Sequence, residues 1–447
     1  MKRIKKTKII ATLGPATSSV ESIESLIKEG VDVLRINFSH STHKEAENLI
    51  NEIRKINDSL STNTAILADL QGPKLRIGEV LENTELKDGE NIIIKTGKEL
   101  IGDSKTLYLN YNNLAKDIKK GEKILIDDGK IILKVIDIDK KNQIIAQVIQ
   151  GGILSSNKGF NLPNTNISQP ALTEKDIEDA IFSAKQNVDW IALSFVRHGS
   201  DIESLIKLLD QKTNHRIPVI AKIEKPEGVR NIDEIMKFAS GIMVARGDLG
   251  VEINATEVPL IQKKLVIKAK KARIPVIIAT QMMESMMKSL NPNRAEVNDV
   301  ANSIMDGADA VMLSGETSIG EHPVEVIRTI SQIIGKVENS DLISLKHKHP
   351  TDYDSDRFIT KSVCYYAAKI ANDTKAKAIS TLTNSGYTAY QISSWRPKTH
   401  VLVFTSNKRI VTQLNLLWGV KAFYYDSSES TDRTIEEINK IAVEKNI

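Results

Sequence analysis

The chain carries a single cysteine, Cys364, among 447 residues. That excludes intrachain disulfides and any cysteine-based metal cluster. Nor is there an uninterrupted apolar run near the ~20 residues a membrane helix requires. The basic opening "MKRIKK" reads as a solvated terminus and no secretory leader, because the apolar stretch behind it is short and runs into Pro15. An excess of one charge is missing too. The 61 basic and 57 acidic residues leave a net charge of +4, with no broad field for nucleic acid. Common nucleotide motifs are absent. "GETSIGEH" (315–322) has the glycine spacing of a P-loop, but Glu321 stands where lysine is required. No G-x-G-x-x-G stands at a strand–helix junction. A soluble, cytoplasmic, globular protein is expected, engaging neither membrane nor nucleic acid.

What is present is length and apolar content for two or three cored domains, with 41% hydrophobic residues. Buried-strand runs recur, among them "TKIIATLG" (7–14), "VDVLRINFS" (31–39), "TAILADLQG" (64–72) and "VDWIALSFV" (188–196). Others are "PVIAKIE" (218–224), "GIMVARGDLG" (241–250), "PVIIATQMM" (275–283) and "ADAVMLSGET" (308–317). Helix-period segments such as "SSVESIESLIKEG" separate most of them, with a serine cap before an acidic first turn. Eight alternating units predict a (β/α)8 barrel, whose chemistry belongs at the C-terminal strand ends. The gap between the third and fourth runs is far longer than the rest, and residues 79–167 read as short β pieces. We therefore expect an α/β fold with the barrel over 1–78 and 168–340 and a small β-barrel lid inserted over 79–167. After a polar linker, 341–447 reads as a separate α/β domain.

The strand ends are polar: Arg35, Asn37 and Ser39; Asp69; Arg197; Lys222 and Glu224; Arg246 and Asp248; Thr280 and Gln281; Ser314 and Glu316. Any one could simply meet solvent, but the barrel gathers them on one rim. Glu224 and Asp248 could hold one divalent cation, Mg2+ or Mn2+, through oxygen. Lys222, two residues from Glu224 and so on the same side of a strand, could stabilise charge on a transferring group. Arg35 could clamp a phosphate, "RGDLG" could offer backbone amides to an anion, and Thr280 could relay a proton. Together they point to phosphoryl transfer on a small acidic substrate. Two rivals stand beside this: a Mg2+-dependent lyase or aldolase on the same barrel, and a binding protein that kept the fold without turnover.

The motifs "NFSH", "KIE", "MVARGDLGVEI", "PVIIATQMMESM", "NRAEVNDVAN" and "DGADAVMLSGET" closely resemble the pyruvate kinase family over nearly the whole chain. The resemblance implies glycolytic transfer of the phosphoryl group of phosphoenolpyruvate to ADP, giving ATP and pyruvate. It implies Glu224 and Asp248 as metal ligands and Lys222 as the transition-state lysine. Arg35, Gly247, Asp248 and Thr280 would contact phosphoenolpyruvate. Asn37, His40, Arg76 and Lys158 would lie on the nucleotide side, and Asp127 or Asp128 of the lid would swing toward the site. Many relatives hold K+ at positions matching Asn37, Ser39, Asp69 and Leu70. The stretch "LQGPKLRI", with Leu70, Gln71, Lys74 and Ile77, is similar to the branch that works without K+. There the Lys74 ammonium, beside Asp69, would stand in for the ion. His198 follows the arginine of "SFVR" where some relatives have lysine. "TNSGYTA" (383–389) resembles a loop gripping a sugar-phosphate or nucleotide effector through Thr383, Ser385 and Thr388, with Tyr387 replacing an arginine. The family's last strands are expected to be missing after Ile447, and the family implies a homotetramer.

Overall fold

β-branched and aliphatic residues dominate eight strands that are buried along nearly their whole length, as expected where both faces are covered. A computed structural model describes residues 5–96, 100–139, 143–163, 165–340, 349–351, 353, 355–426 and 430–444. The first basic residues (1–4) and most of the predicted linker (341–348) lie outside them. Strands β1 (Lys8–Thr12), β2 (Val33–Asn37) and β3 (Ala65–Asp69) open the barrel. A second sheet system follows: β4 (Glu85–Leu86), β5 (Asn91–Thr96), β6 (Thr106–Leu109), β7 (Lys123–Ile126), β8 (Ile131–Ile138), β9 (Ile144–Gln150), β10 (Gly152–Ile153) and β11 (Phe160–Asn161). The barrel resumes with β12 (Trp190–Leu193), β13 (Val219–Ile223), β14 (Gly241–Ala245), β15 (Val276–Ala279) and β16 (Ala310–Leu313). β17 (Ala378–Leu382), β18 (His400–Thr405) and β19 (Val420–Tyr424) form the last sheet.

The barrel strands pair in parallel in the closed order β1-β16-β15-β14-β13-β12-β3-β2. Crossover helices begin where the sequence places caps. Ser19 accepts from the Ser22 N–H at the start of Val20–Glu29, and Gly30 closes that helix in the left-handed region. Thr42 with Glu45, and Thr173 with Asp176, form reciprocal capping boxes. Inside the barrel, Ile10, Leu67, Trp190, Ile220, Met243 and Ile277 fill the lumen as a packed core.

The inserted sheet runs β11-β7-β8-β9-β5-β6 and has its own apolar core, from Leu75 and Ile77 to Leu162. Its "DDGK" hairpin turns through Asp127, Asp128 and Gly129, all with φ above +50°. It leaves the barrel after β3, at the C-terminal rim. The β17-β18-β19 sheet is parallel and docks at the opposite end. There Arg396 reaches Asp309 just before β16, Asn415 donates to the Asp32 carbonyl before β2, and Trp190 Nε1 donates to the Gln413 carbonyl. Lid and trailing domain therefore sit at opposite ends of the cylinder.

Candidate active site

At the C-terminal rim three strand ends meet around one ammonium. Lys222 Nζ lies 3.1 Å from Asp69 Oδ1 and 3.2 Å from Glu224 Oε1, and donates to Ser194 Oγ at 2.7 Å. Burial alone would lower the Lys222 pKa. The carboxylates of Asp69 and Glu224 overrule it and hold the group above its usual range. Burial likewise pushes Asp69 up, and Lys222 and Arg35 more than reverse the effect. Arg35 spends Nε on Asp69 Oδ2 at 2.6 Å and Nη1 on Thr12 Oγ1 at 2.9 Å.

Glu224 is buried; burial first, and then the Asp248 carboxylate, raise its pKa against the pull of Lys222. Its Oε2 accepts from the Phe195 N–H at 2.7 Å. Two carboxylates that repel each other across one space, one buried and one exposed, suit a hard divalent ion that keeps water or substrate oxygens in its shell. Among the described residues no group of three or more His, Cys, Asp or Glu is placed to hold a metal.

Thr280 and Gln281 sit in the left-handed region with φ of 70° and 52°, which a β-branched residue adopts only under constraint. The constraint is a hydrogen-bond relay. The Gly247 N–H donates to Thr280 Oγ1 at 2.7 Å, and Thr280 Oγ1 donates to the Ala279 carbonyl at 2.6 Å. One amide of "RGDLG" expected to face an anion is therefore already committed.

Some polar strand ends also tie down neighbouring loops, although Arg246 and Arg197 border the cavities beside Asp248 as well. Arg246 is tied to Asp299 and the Thr280 carbonyl, Arg197 to the Ile167 and Gln169 carbonyls. Glu316 accepts from the Met283 and Ser314 N–H groups. These three brace loops. Sequence reasoning missed Ser194. It bridges Lys222 and the Leu70 carbonyl, which it reaches at 2.7 Å, and only its place directly after β12 could have flagged it.

The nucleotide-side residues converge less tightly. His40 is held below its usual pKa by burial and by Lys74, Arg76 and Arg35, so these cations share one neighbourhood. The Ser39 N–H donates to Asn37 Oδ1 at 3.1 Å. Asn37 and His40 line a cavity of about 750 Å³ together with Thr12, Pro15 and Glu45. Lys74 is pulled down by burial and by Arg76, while Asp248 and Glu224 oppose. Asp69, its expected neighbour, is taken up by Arg35 and Lys222. Lys74, Arg76, Asp127, Asp128 and Asp248 line a cavity of about 240 Å³ between lid and barrel. Arg76 Nη1 donates to the Asn157 carbonyl, and Lys158 pairs with Asp127 at 2.9 Å. Far away, "TNSGYTA" closes on itself: Thr383 Oγ1 accepts from the Gly386 N–H, and Thr381 Oγ1 donates to Thr388 Oγ1. Ser385 faces a separate cavity of about 1020 Å³.

A closed barrel with a lid over its C-terminal rim, and lysine, arginine and paired carboxylates beneath that lid, defines a metal-assisted phosphotransferase. The family model for the pyruvate kinase barrel domain matches residues 4–327, and that for the pyruvate kinase alpha/beta domain matches 361–447. The chain is 42% identical to a pyruvate kinase of Corynebacterium glutamicum, over 98% of this chain and 90% of that one. It is also 42% identical to a pyruvate kinase of Geobacillus stearothermophilus, over 99% and 75% respectively. A crystal structure of a pyruvate kinase from Cryptosporidium parvum superposes with a TM-score of 0.91 at 34% identity, covering 99% of this chain and 91% of that one. The chain belongs to the pyruvate kinase family and is an enzyme with that family's activity. The family works with a divalent metal. No helix among the described residues is long and apolar enough to cross a membrane.

Proposed function

We propose that this enzyme transfers the phosphoryl group of phosphoenolpyruvate to ADP in the cytoplasm, using Mg2+ or Mn2+ held by Glu224 and Asp248. The observation that carries the reading is the Lys222 ammonium, fixed by Asp69, Glu224 and Ser194 at the barrel mouth. Arg35, pinned by Asp69 and Thr12, keeps its remaining N–H donors for the substrate phosphate. The bond from phosphorus to the enol oxygen breaks, and an oxygen of ADP forms the new one. Charge growing on the transferring group is met by Lys222 and Arg35, a gain largest in the transition state. When bound, the divalent cation supplies further charge neutralisation at the phosphate oxygens. Thr280 is assigned to the protonation of enolpyruvate, and its hydroxyl must first leave the Ala279 carbonyl to take part. Gly247 shapes the substrate pocket, while Asn37, His40, Arg76 and Lys158 receive the nucleotide.

Lys74 takes the place of K+ near Asn37, Ser39, Asp69 and Leu70. Its support is its place in one cavity with Asp248, where the Asp248 and Glu224 carboxylates favour its charge against burial and the cations Arg76 and Lys222. Turnover should be equal in K+ and in tetramethylammonium buffers, and a large loss in the latter removes this assignment. The barrel is assigned to 1–78 and 168–340, the lid to 79–167 and the trailing domain to 341–447. Assembly as a homotetramer, and a phosphorylated effector at Thr383, Ser385 and Thr388, complete the reading.

A coupled assay with phosphoenolpyruvate, ADP and Mg2+ tests the whole and separates it from a lyase or a silent relative. Lys222→Met should still bind substrate and metal by calorimetry, yet lose about three orders of magnitude in turnover. Near-parental turnover in that variant rejects the role given to Lys222.

A further inference from the structure

Behind the site lies a buried charge that the chemistry above does not use. Glu252 ends the Arg246–Glu252 helix, four residues after Asp248 and therefore one turn along the same face. Its Oε1 receives two donors from two directions. One is the ammonium of Lys225, the residue after Glu224. The other is Asn161 Nδ2 at 2.7 Å, from β11 of the inserted sheet. Lys225 and Glu252 are 7% and 3% exposed, so each depends on the other for charge. Oε2 is buried with no hydrogen-bond partner among the described residues, so both donors load a single oxygen.

Three parts that must converge for phosphoryl transfer are thus joined at one atom: the helix bearing Asp248, the strand end bearing Glu224, and the lid. The lever on the lid side is short. Asn161 pairs with Leu125 of β7, three residues before Asp128, and lines the same cavity as Asp127 and Asp128. Lys158 precedes Asn161 by three residues and pairs with Asp127. Play at Asn161 therefore passes straight to the groups that overhang the nucleotide side.

Resting on the assignment of Glu224 and Asp248 above, we infer that Glu252 is a positioning residue and that its contact with Asn161 is the pivot about which the lid closes. Asn161→Ala removes the lid's hold and leaves the Lys225–Glu252 pair intact. It should raise KM for ADP about tenfold and leave KM for phosphoenolpyruvate within about twofold, with Tm within about 2 °C of the parent. General loosening of the structure would move both constants. Glu252→Gln strips Lys225 of its counter-charge next to Glu224 and should raise both. Combined, the two changes should be less than additive in kcat/KM, because they act through one contact.

A second measurement does not need activity. In a Cys364→Ser background, spin labels at the exposed positions Lys134 on the lid and Lys264 on the barrel report the lid's distance distribution. Asn161→Ala should broaden it. An Asn161→Ala enzyme with the parental distribution and an ADP KM within about twofold of the parent overturns the pivot, and so does full additivity of the pair. Absence of turnover in the parent would instead overturn the reading of the site, and the label distances alone would then decide the pivot.

Discussion

The two lid aspartates share a backbone conformation and differ in what their side chains can do. Both lie in the left-handed region, which aspartate tolerates better than most residues. Asp127 is held between Lys158 at 2.9 Å and Lys130 at 3.0 Å, and those hydrogen bonds keep its carboxyl below the usual range. Asp128 takes part in neither pair and lines the cavities on both sides of Asp248. We therefore propose that Asp128 is the carboxylate that meets substrate and that Asp127 aims Lys158. Asp128→Asn should lower kcat by about tenfold or more, whereas Asp127→Asn should act mainly on KM for ADP by freeing Lys158. Steady-state kinetics of the two variants decide between these roles, and a reversed pattern exchanges them. The same contrast holds around Lys222, where Ser194 and Asp69 position the amine and Glu224, the proposed metal ligand, touches it from the other side.

Positioning of that kind is built into loops as much as into side chains. The turn after β3 passes through Gly72 at φ +70°, where a Cβ would lie 2.8 Å from both Ser194 Cβ and the Phe195 ring. Ser194 is the residue that bonds Lys222, so Gly72→Ala should disturb the amine through it. We expect a loss of about 1–3 kcal/mol in chemical denaturation together with reduced turnover. Gly121, in a lid turn at φ +90°, has nothing within 4 Å of the same added atom. Gly121→Ala should cost the backbone strain alone, about 1–2 kcal/mol, and leave turnover unchanged. Equal effects of the two substitutions would show that backbone strain, and not the pressure on Ser194, governs the site. At this scale much of the molecule is legible in the sequence. Parallel strands buried on both faces leave continuous apolar runs, and the change to short β pieces announces the inserted sheet. What stays hidden depends on partners far along the chain. Glu252 meets Asn161 across 91 positions, and Lys222 meets Ser194 across 28. A polar residue at a strand end also carries no mark of its partners: Arg197 and Arg246 brace loops while bordering the cavities beside Asp248, and Glu316 is spent on the Met283 and Ser314 amides.

Across the whole molecule, chemistry at one end of the barrel is matched by a charged joint at the other. Asp309 accepts from Arg396 Nη1 at 2.8 Å and from the Val276 N–H at 2.9 Å, and it also pairs with Lys270. Two cations of a buried joint share one carboxylate. Burial, and then Arg396, push the Lys270 pKa down to about 7, well below the usual lysine value near 10.4. The unfolded chain therefore binds a proton between pH 7 and 10 that the folded chain has released, so stability should rise with pH across that window. Below pH 7 the folded protein carries Lys270 charged, at a cost. Lys270→Met leaves Asp309 its Arg396 and Val276 donors and removes the cost. The variant should be at least as stable as the parent at pH 6, and the parent's gain on going to pH 9 should exceed the variant's. The slope difference should approach but not exceed about 1.4 kcal/mol per pH unit. Arg396→Ala does the reverse: it leaves Lys270 as the one side-chain cation on Asp309 and strips the Gly307 carbonyl of its donor. It should cost about 3–5 kcal/mol. Calorimetry from pH 6 to 9 on parent and both variants tests the joint. Parallel curves for the parent and Lys270→Met would mean that the lysine keeps its proton in the fold, and that burial at this interface is weaker than its geometry indicates.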